Sequence, residues 1–144
     1  MKIHFIGIGG IGISGLAQYM HYKGHEVSGS DISDTVITQK LRTMGIGVSV
    51  PHDPSAITDQ DLVIHSAIIR PDNPEIVEAK SKGIEVLARR EALLRILNDL
   101  EVYSVAGAHG KSTTTAILSA IMSGSAIIGA ESKAFSSNVR YVPS

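Results

Sequence analysis

Short apolar runs alternate along the chain with stretches in which apolar residues recur every three or four positions. A run of the first kind suits a strand covered on both faces and a stretch of the second kind an amphipathic helix. The chain therefore reads as successive βα units around a parallel sheet. Strands are expected at Lys2 to Ile6, Glu26 to Ser28, Val48 to Val50, Asp61 to Ile64, Glu85 to Leu87 and Glu101 to Val105. Helical stripes run through Ile13, Leu16, Ala17 and Met20, through Ile37, Leu41 and Met44, and through Ile76, Val77 and Ala79. Two more follow, Leu93, Leu94, Leu97 and Leu100, then Ile117, Leu118 and Ile121. All five are expected to face a core. Gly24, Gly45 and Gly83 stand where the first three helices would stop.

Proline and Asx residues mark loops at Pro51-His52-Asp53-Pro54 and Arg70-Pro71-Asp72-Asn73-Pro74. Each follows an expected strand, on the side of an open parallel sheet where ligands bind. From Ser123 onward the text turns to Gly, Ser and Ala, with Ile127-Ile128 and Val139 to Val142 as candidate strands of a new unit that has no room to close before Ser144. The expected organisation is one domain over residues 1–98 and an incomplete second one over residues 99–144.

The 144 residues suffice for one full core and fall short of two. A net charge of −1 with 19% charged residues gives no electrostatic reason to expect nucleic acid. Without a single cysteine there is no disulfide, thiolate metal site or catalytic thiol, which fits a reducing cytoplasm. Neither a leader-like start nor an apolar run of bilayer length is present, so a soluble cytoplasmic protein without membrane insertion is expected. The histidines show no ligand spacing beyond His21 and His25, which Gly24 separates.

Gly7-Ile8-Gly9-Gly10-Ile11-Gly12 satisfies G-x-G-x-x-G directly after an apolar strand and directly before a helix. Glycines there permit a tight turn and close approach of backbone to a pyrophosphate, which the N–H groups and positive dipole end of the helix then bind. Gly9, Gly10, Ile11 and Gly12 are thus candidate diphosphate ligands in a Rossmann-like domain. Asp31, in Ser28-Gly29-Ser30-Asp31, stands where an acid takes a ribose hydroxyl. Ser30, Asp31, Ser33 and Asp34 are also all able to cap the next helix. A dinucleotide such as NAD and a UDP conjugate satisfy this loop equally, since each brings a pyrophosphate and a ribose.

A second strand-loop-helix follows at Gly107-Ala108-His109-Gly110-Lys111-Ser112-Thr113. Its Gly-Lys-Ser ending offers backbone N–H groups to wrap phosphates, a lysine for the outer ones and a hydroxyl for Mg²⁺. The general P-loop would put its first glycine at Val105, whereas here it is Gly107.

This shorter loop resembles that of the Mur ligase family, Gly-Thr-[His/Asn]-Gly-Lys-[Ser/Thr]-Thr, with Ala108 in place of the usual threonine. Ser28-Gly29-Ser30-Asp31, Ser66-Ala67-Ile68, Asp72-Asn73-Pro74-Glu75-Ile76 and Arg89-Arg90 are similar to the family as well, and the likeness runs from Met1 to about Thr115. The resemblance implies a three-domain ATP-dependent ligase of peptidoglycan synthesis, whose alanine-adding member joins L-alanine to UDP-N-acetylmuramate through an acyl phosphate. It implies ATP at Gly107, Ala108, His109, Gly110, Lys111, Ser112 and Thr113, with Lys111 catalytic and Ser112 on magnesium. It further implies the UDP diphosphate at Gly9 to Gly12, with Asp31, His52, Ser66, Ala67 and Ile68 around the same ligand.

Alternatives stay open at several positions. Ser66 also reads as a turn hydroxyl, His52 as an exposed loop residue, and Arg70, Arg89, Arg90 and Arg95 as solvated charges. An NAD-binding domain accounts for the first loop and leaves residues 107–115 unexplained. The related ligase that attaches a tripeptide to the same UDP-sugar shares the second loop. Binding of a UDP-linked ligand without ligation is expected of residues 1–144, since the family's other catalytic groups would lie beyond them.

Overall fold

The computed structural model describes residues 1–133 and 136–143; positions 134, 135 and 144 of the expected second domain lie outside the described residues. Five parallel strands form one sheet: β1 (Lys2–Ile6), β2 (Glu26–Ser30), β3 (Gly47–Ser49), β4 (Leu62–His65) and β5 (Glu85–Ala88). Their spatial order is β3-β2-β1-β4-β5, with β1 at the centre. Register is fixed there by Ile3 opposite Val27 on one side and Leu62 on the other.

Alternation along β1 sorts the core. Ile3 and Phe5 pack with Leu16 and Ala17 of α1 (Ile11–Tyr22), Leu41 of α2 (Val36–Thr43) and Ala92 of α4 (Arg89–Leu97). Ile6 packs on the opposite face with Val63, Ile57, and Ile76 and Ala79 of α3 (Pro74–Ser81). This is the expected Rossmann-like α/β sheet with helices on both faces. Gly24, Gly45 and Gly83 take φ of +85°, +89° and +71° just past α1, α2 and α3, the left-handed conformation that ends a helix.

The crossover from β3 to β4 carries no full helix, only a 3-10 turn at Pro54–Ala56 capped by Asp53. On β2, Ser28 and Ser30 meet the polar side chains of His4, His52 and Glu75. Asn73 caps α3 through the N–H of Glu75, with Pro74 in the first turn.

Three expectations are corrected. Residues 101–105 form no strand; an apolar run becomes a strand only with a ladder partner, and none of the described strands flanks it. The stripe on α5 (Lys111–Ile121) does not face a core, for Ile117 and Ile121 are 55% and 79% exposed. On α3 and α4, Val77 and Leu94 also point outward.

The candidate strands near Ile127 and Val139 exist, as the antiparallel pair β6 (Ala126–Ser132) and β7 (Ser137–Arg140). They pack on α1 instead of opening a separate layer. Asn138 donates to the Ile11 carbonyl at 2.8 Å and accepts from Gln18 at 2.9 Å, the Asn138 and Gln18 side chains both being buried. Gly15 is required there, since a Cβ would lie 2.9 Å from Ile127.

Candidate functional site

The glycine loop closes over the carboxyl ends of β1 and β2. Gly7, at φ +78°, and Ile8 both donate their N–H groups to the Ser30 carbonyl, at 2.8 and 2.9 Å. Below the loop, β2 passes so close that a Cβ on Gly29 would sit 2.6 Å from the Phe5 carbonyl oxygen. The loop then enters α1 at Gly10, where no side chain caps the helix and no acid occupies the first turn. The first α1 hydrogen bond runs from the Ser14 N–H to Gly10, so the N–H groups of Ile11, Gly12 and Ile13 lie ahead of it. An uncapped, acid-free helix start is a ready anion site.

Arg89 sharpens that point. As the first residue of α4 it leaves the carboxyl end of β5 and lays its guanidinium 3.0–3.2 Å from where a Cβ of Gly12 would stand. Its Nε is buried without a hydrogen-bond partner and its guanidinium forms no ion pair among the described residues. Arg90 is exposed, and Arg95 is paired with Glu85 at 2.7 Å, so of the three arginines only Arg89 converges on the loop. The other buried side-chain atom without a partner, among the described residues, is Ser49 Oγ at the carboxyl end of β3.

Asp31 is used in a way that local sequence does not reveal. Its carboxylate accepts the Gly9 N–H at 2.7 Å and the Ile32 N–H at 2.7 Å. It therefore braces the glycine loop against the turn after β2. The cap of α2 is Thr35, in a reciprocal pair with Thr38, and none of Ser30, Asp31, Ser33 or Asp34 takes that place.

Ser66 is brought to the loop, its Cβ 3.1 Å from the position of a Cβ on Gly7, and its N–H is held by the Ile6 carbonyl. Ala67 and Ile68 follow it into solvent, with Ile68 86% exposed. His52 is tied in through Ser30, whose hydroxyl meets its Nδ1 at 2.8 Å. Behind Ser30 lies Glu75, fully buried, accepting from Ser30 Oγ at 2.5 Å, the Asp53 N–H at 2.8 Å and His4 Nε2 at 3.3 Å. Burial alone pushes the Glu75 carboxyl up, but the hydrogen bonds from His4, Ser30 and Asp53 outweigh it and hold the group below its usual range.

The second loop stands apart from the sheet. Gly107 and Gly110 have φ of +152° and +76°, and Gly110 leads into α5, whose start again has no side-chain cap and no acid. Lys111 Nζ folds back on the Gly107 carbonyl at 2.7 Å. Ala108, His109, Ser112 and Thr113 lie on this exposed turn and the first turn of α5. No three His, Asp or Glu side chains among the described residues converge as a metal site, and no described helix is long and apolar enough to cross a membrane.

Residues 2–100 match the model of the Mur ligase family, catalytic domain. The UDP-N-acetylmuramate–L-alanine ligase of Campylobacter curvus is 55% identical over 143 residues, 99% of this chain and 33% of that protein. Its counterpart from Helicobacter pylori is 58% identical over 140 residues, 96% of this chain and 31% of that protein. The chain thus spans about one third of the length of the curated relatives it matches. Among solved structures, the UDP-N-acetylmuramate-alanine ligase of Thermotoga maritima superimposes with a TM-score of 0.91 at 36% identity, over 98% of this chain and 35% of that one. The UDP-N-acetylmuramate:L-alanyl-gamma-D-glutamyl-meso-diaminopimelate ligase of Neisseria meningitides gives 0.86 at 27%, over 97% of this chain and 46% of that one.

Proposed function

Since this chain belongs to the Mur ligase family, we propose that it is the UDP-sugar-binding part of an ATP-dependent ligase of the bacterial cytoplasm, one that joins L-alanine to UDP-N-acetylmuramate in peptidoglycan synthesis. One observation carries the binding half: an unpartnered Arg89 guanidinium beside the uncapped start of α1, on a glycine loop. A helix start with no acid in its first turn and a guanidinium with no ion pair among the described residues call for an anion, and a diphosphate on Gly9, Gly10, Ile11 and Gly12 supplies it. Ser66, Ala67, Ile68 and His52 rim the same end of the sheet and are assigned to the rest of this ligand. Asp31 acts on it through the Gly9 N–H that it anchors.

Alanine as the second substrate, rather than a tripeptide, is supported by the higher identity to alanine-adding relatives, 36% against 27% in the two solved structures. Residues 1–98 are assigned to the sugar-nucleotide domain and residues 99–144 to the start of an ATP-binding one. Residues 107–113 fit a triphosphate: a left-handed Gly110, an uncapped helix start and an exposed lysine at the same turn. Lys111 would meet the outer phosphates and the Ser112 hydroxyl a magnesium ion; bound ATP supplies the phosphoryl group that activates a carboxylate.

Calorimetric titration tests the reading. UDP-N-acetylmuramate is expected to bind and NAD to give no heat; binding of NAD alone would refute it. Lys111→Ala is expected to weaken ATP binding by roughly tenfold to a hundredfold, the loss of charge-assisted contacts, while UDP-N-acetylmuramate binds as before. Loss of both ligands together would show that the triphosphate is held elsewhere.

A further inference from the structure

Glu75 has no place in the phosphate chemistry of either loop, yet it is fully buried and accepts three hydrogen bonds. Its carboxylate lies beneath β2 where the β3–β4 crossover lacks a helix, and the chain it anchors runs Glu75, Ser30, His52. A serine hydroxyl has one proton to give. At 2.5 Å from Glu75 Oε2, that proton must lie toward the carboxylate, for two oxygens at this separation cannot face each other with lone pairs alone. The Ser30 oxygen is then left as an acceptor, so His52 Nδ1, 2.8 Å away, is the donor. The nitrogen that carries the proton on a neutral imidazole is set by the bond its other nitrogen makes. On the neutral ring of His52 that leaves Nε2 bare.

Nε2 of His52 has no partner among the described residues and is not among the buried atoms that lack one there, which are Ser49 Oγ and Arg89 Nε. The His52 side chain is 17% exposed, at the rim formed by the carboxyl ends of β2 and β3. The same Ser30 whose hydroxyl orients His52 holds the Gly7 and Ile8 N–H groups with its carbonyl, so imidazole and glycine loop share one support.

We propose that Glu75, acting through the Ser30 hydroxyl, holds His52 as its Nδ1–H tautomer and presents Nε2 at the site as a hydrogen-bond acceptor, selecting ligands that bring a hydroxyl or an imide N–H there. Glu75 and Ser30 are positioning residues in this scheme and His52 the group that meets the ligand. The selection rests on the UDP-sugar reading, because a nucleoside and its sugar offer such donors and the diphosphate does not. The other tautomer would turn Nε2 into a donor facing the ligand's own donors and repel them.

Long-range proton–nitrogen NMR correlation on the ¹⁵N-histidine-labelled protein at neutral pH reads the tautomer directly, without any variant. His52 is expected with a protonated Nδ1 and a bare Nε2. Ser30→Ala is expected to shift it toward the Nε2–H form and to weaken UDP-N-acetylmuramate roughly fivefold, the loss of one oriented hydrogen bond. Ser30→Thr, which keeps the hydroxyl, should restore both. A protonated Nε2 in the wild-type protein overturns the proposal, as does Ser30→Ala with tautomer and affinity unchanged. Wild-type protein that carries the Nδ1–H form yet binds no UDP-N-acetylmuramate overturns the ligand reading, and with it the selection, while the tautomer stands.

Discussion

Glu75→Leu is expected to lower the stability of this chain by about 3–5 kcal/mol, the range found when one partner of a buried, hydrogen-bonded charge is removed. Leucine fills much of the same volume, so the loss is not a cavity effect. It comes from three donors left without an acceptor: His4 Nε2, the Ser30 hydroxyl and the Asp53 N–H. Urea denaturation checks the figure, and an unchanged midpoint sinks it. The pH dependence follows from the same bonds. Because folding holds the Glu75 carboxyl below its usual range, the unfolded chain binds its proton at higher pH than the folded one. The stabilisation is therefore complete above the ordinary carboxylate range and is lost as pH falls through the lowered folded value. Wild-type protein should lose stability on acidification in that window, and Glu75→Leu should lose less. A wild-type protein that grows more stable there would contradict the sign.

Whatever depends on neighbours in sequence could be seen in sequence. The strand at Lys2 to Ile6, the glycine loop after it, the α1 stripe and the stops at Gly24, Gly45 and Gly83 are each decided within a few residues, by alternation, by close approach or by positive φ. What escaped depends on distant partners. His4 sits in an apolar strand and invites a core reading, while the carboxylate that meets it is 71 positions away. Gln18 looks like an interruption of the α1 stripe until Asn138, 120 positions on, bonds to it. Asp31 stands where a ribose acid is expected, and only the fold shows that its carboxylate also accepts the Gly9 N–H. Residues 101–105 and the outward face of α5 failed in the opposite sense, since their apolar pattern is genuine and no described strand or helix covers it. Arg89 was one of several adjacent charges in the sequence; its place as the first residue of α4, directly after β5, is what sends it to Gly12 while Arg90 goes to solvent.

That placement makes Arg89→Leu the most direct test of the binding site. Affinity for UDP-N-acetylmuramate is expected to fall by roughly tenfold to a hundredfold, which corresponds to about 1.5–3 kcal/mol for hydrogen bonds to a charged group. Stability should hold or rise slightly, because the guanidinium has no partner to lose and its Nε is already buried without one. Arg89→Lys keeps the charge and gives up the planar fork, so it should recover only part of the affinity. Arg89→Glu places a carboxylate at the start of α1, where it caps the helix and excludes a diphosphate, and should bind more weakly than Arg89→Leu while folding at least as well. Titration beside urea denaturation separates these outcomes. Affinity that tracks stability across the three variants would make Arg89 a structural residue; affinity that falls while stability stays makes it the anion's partner.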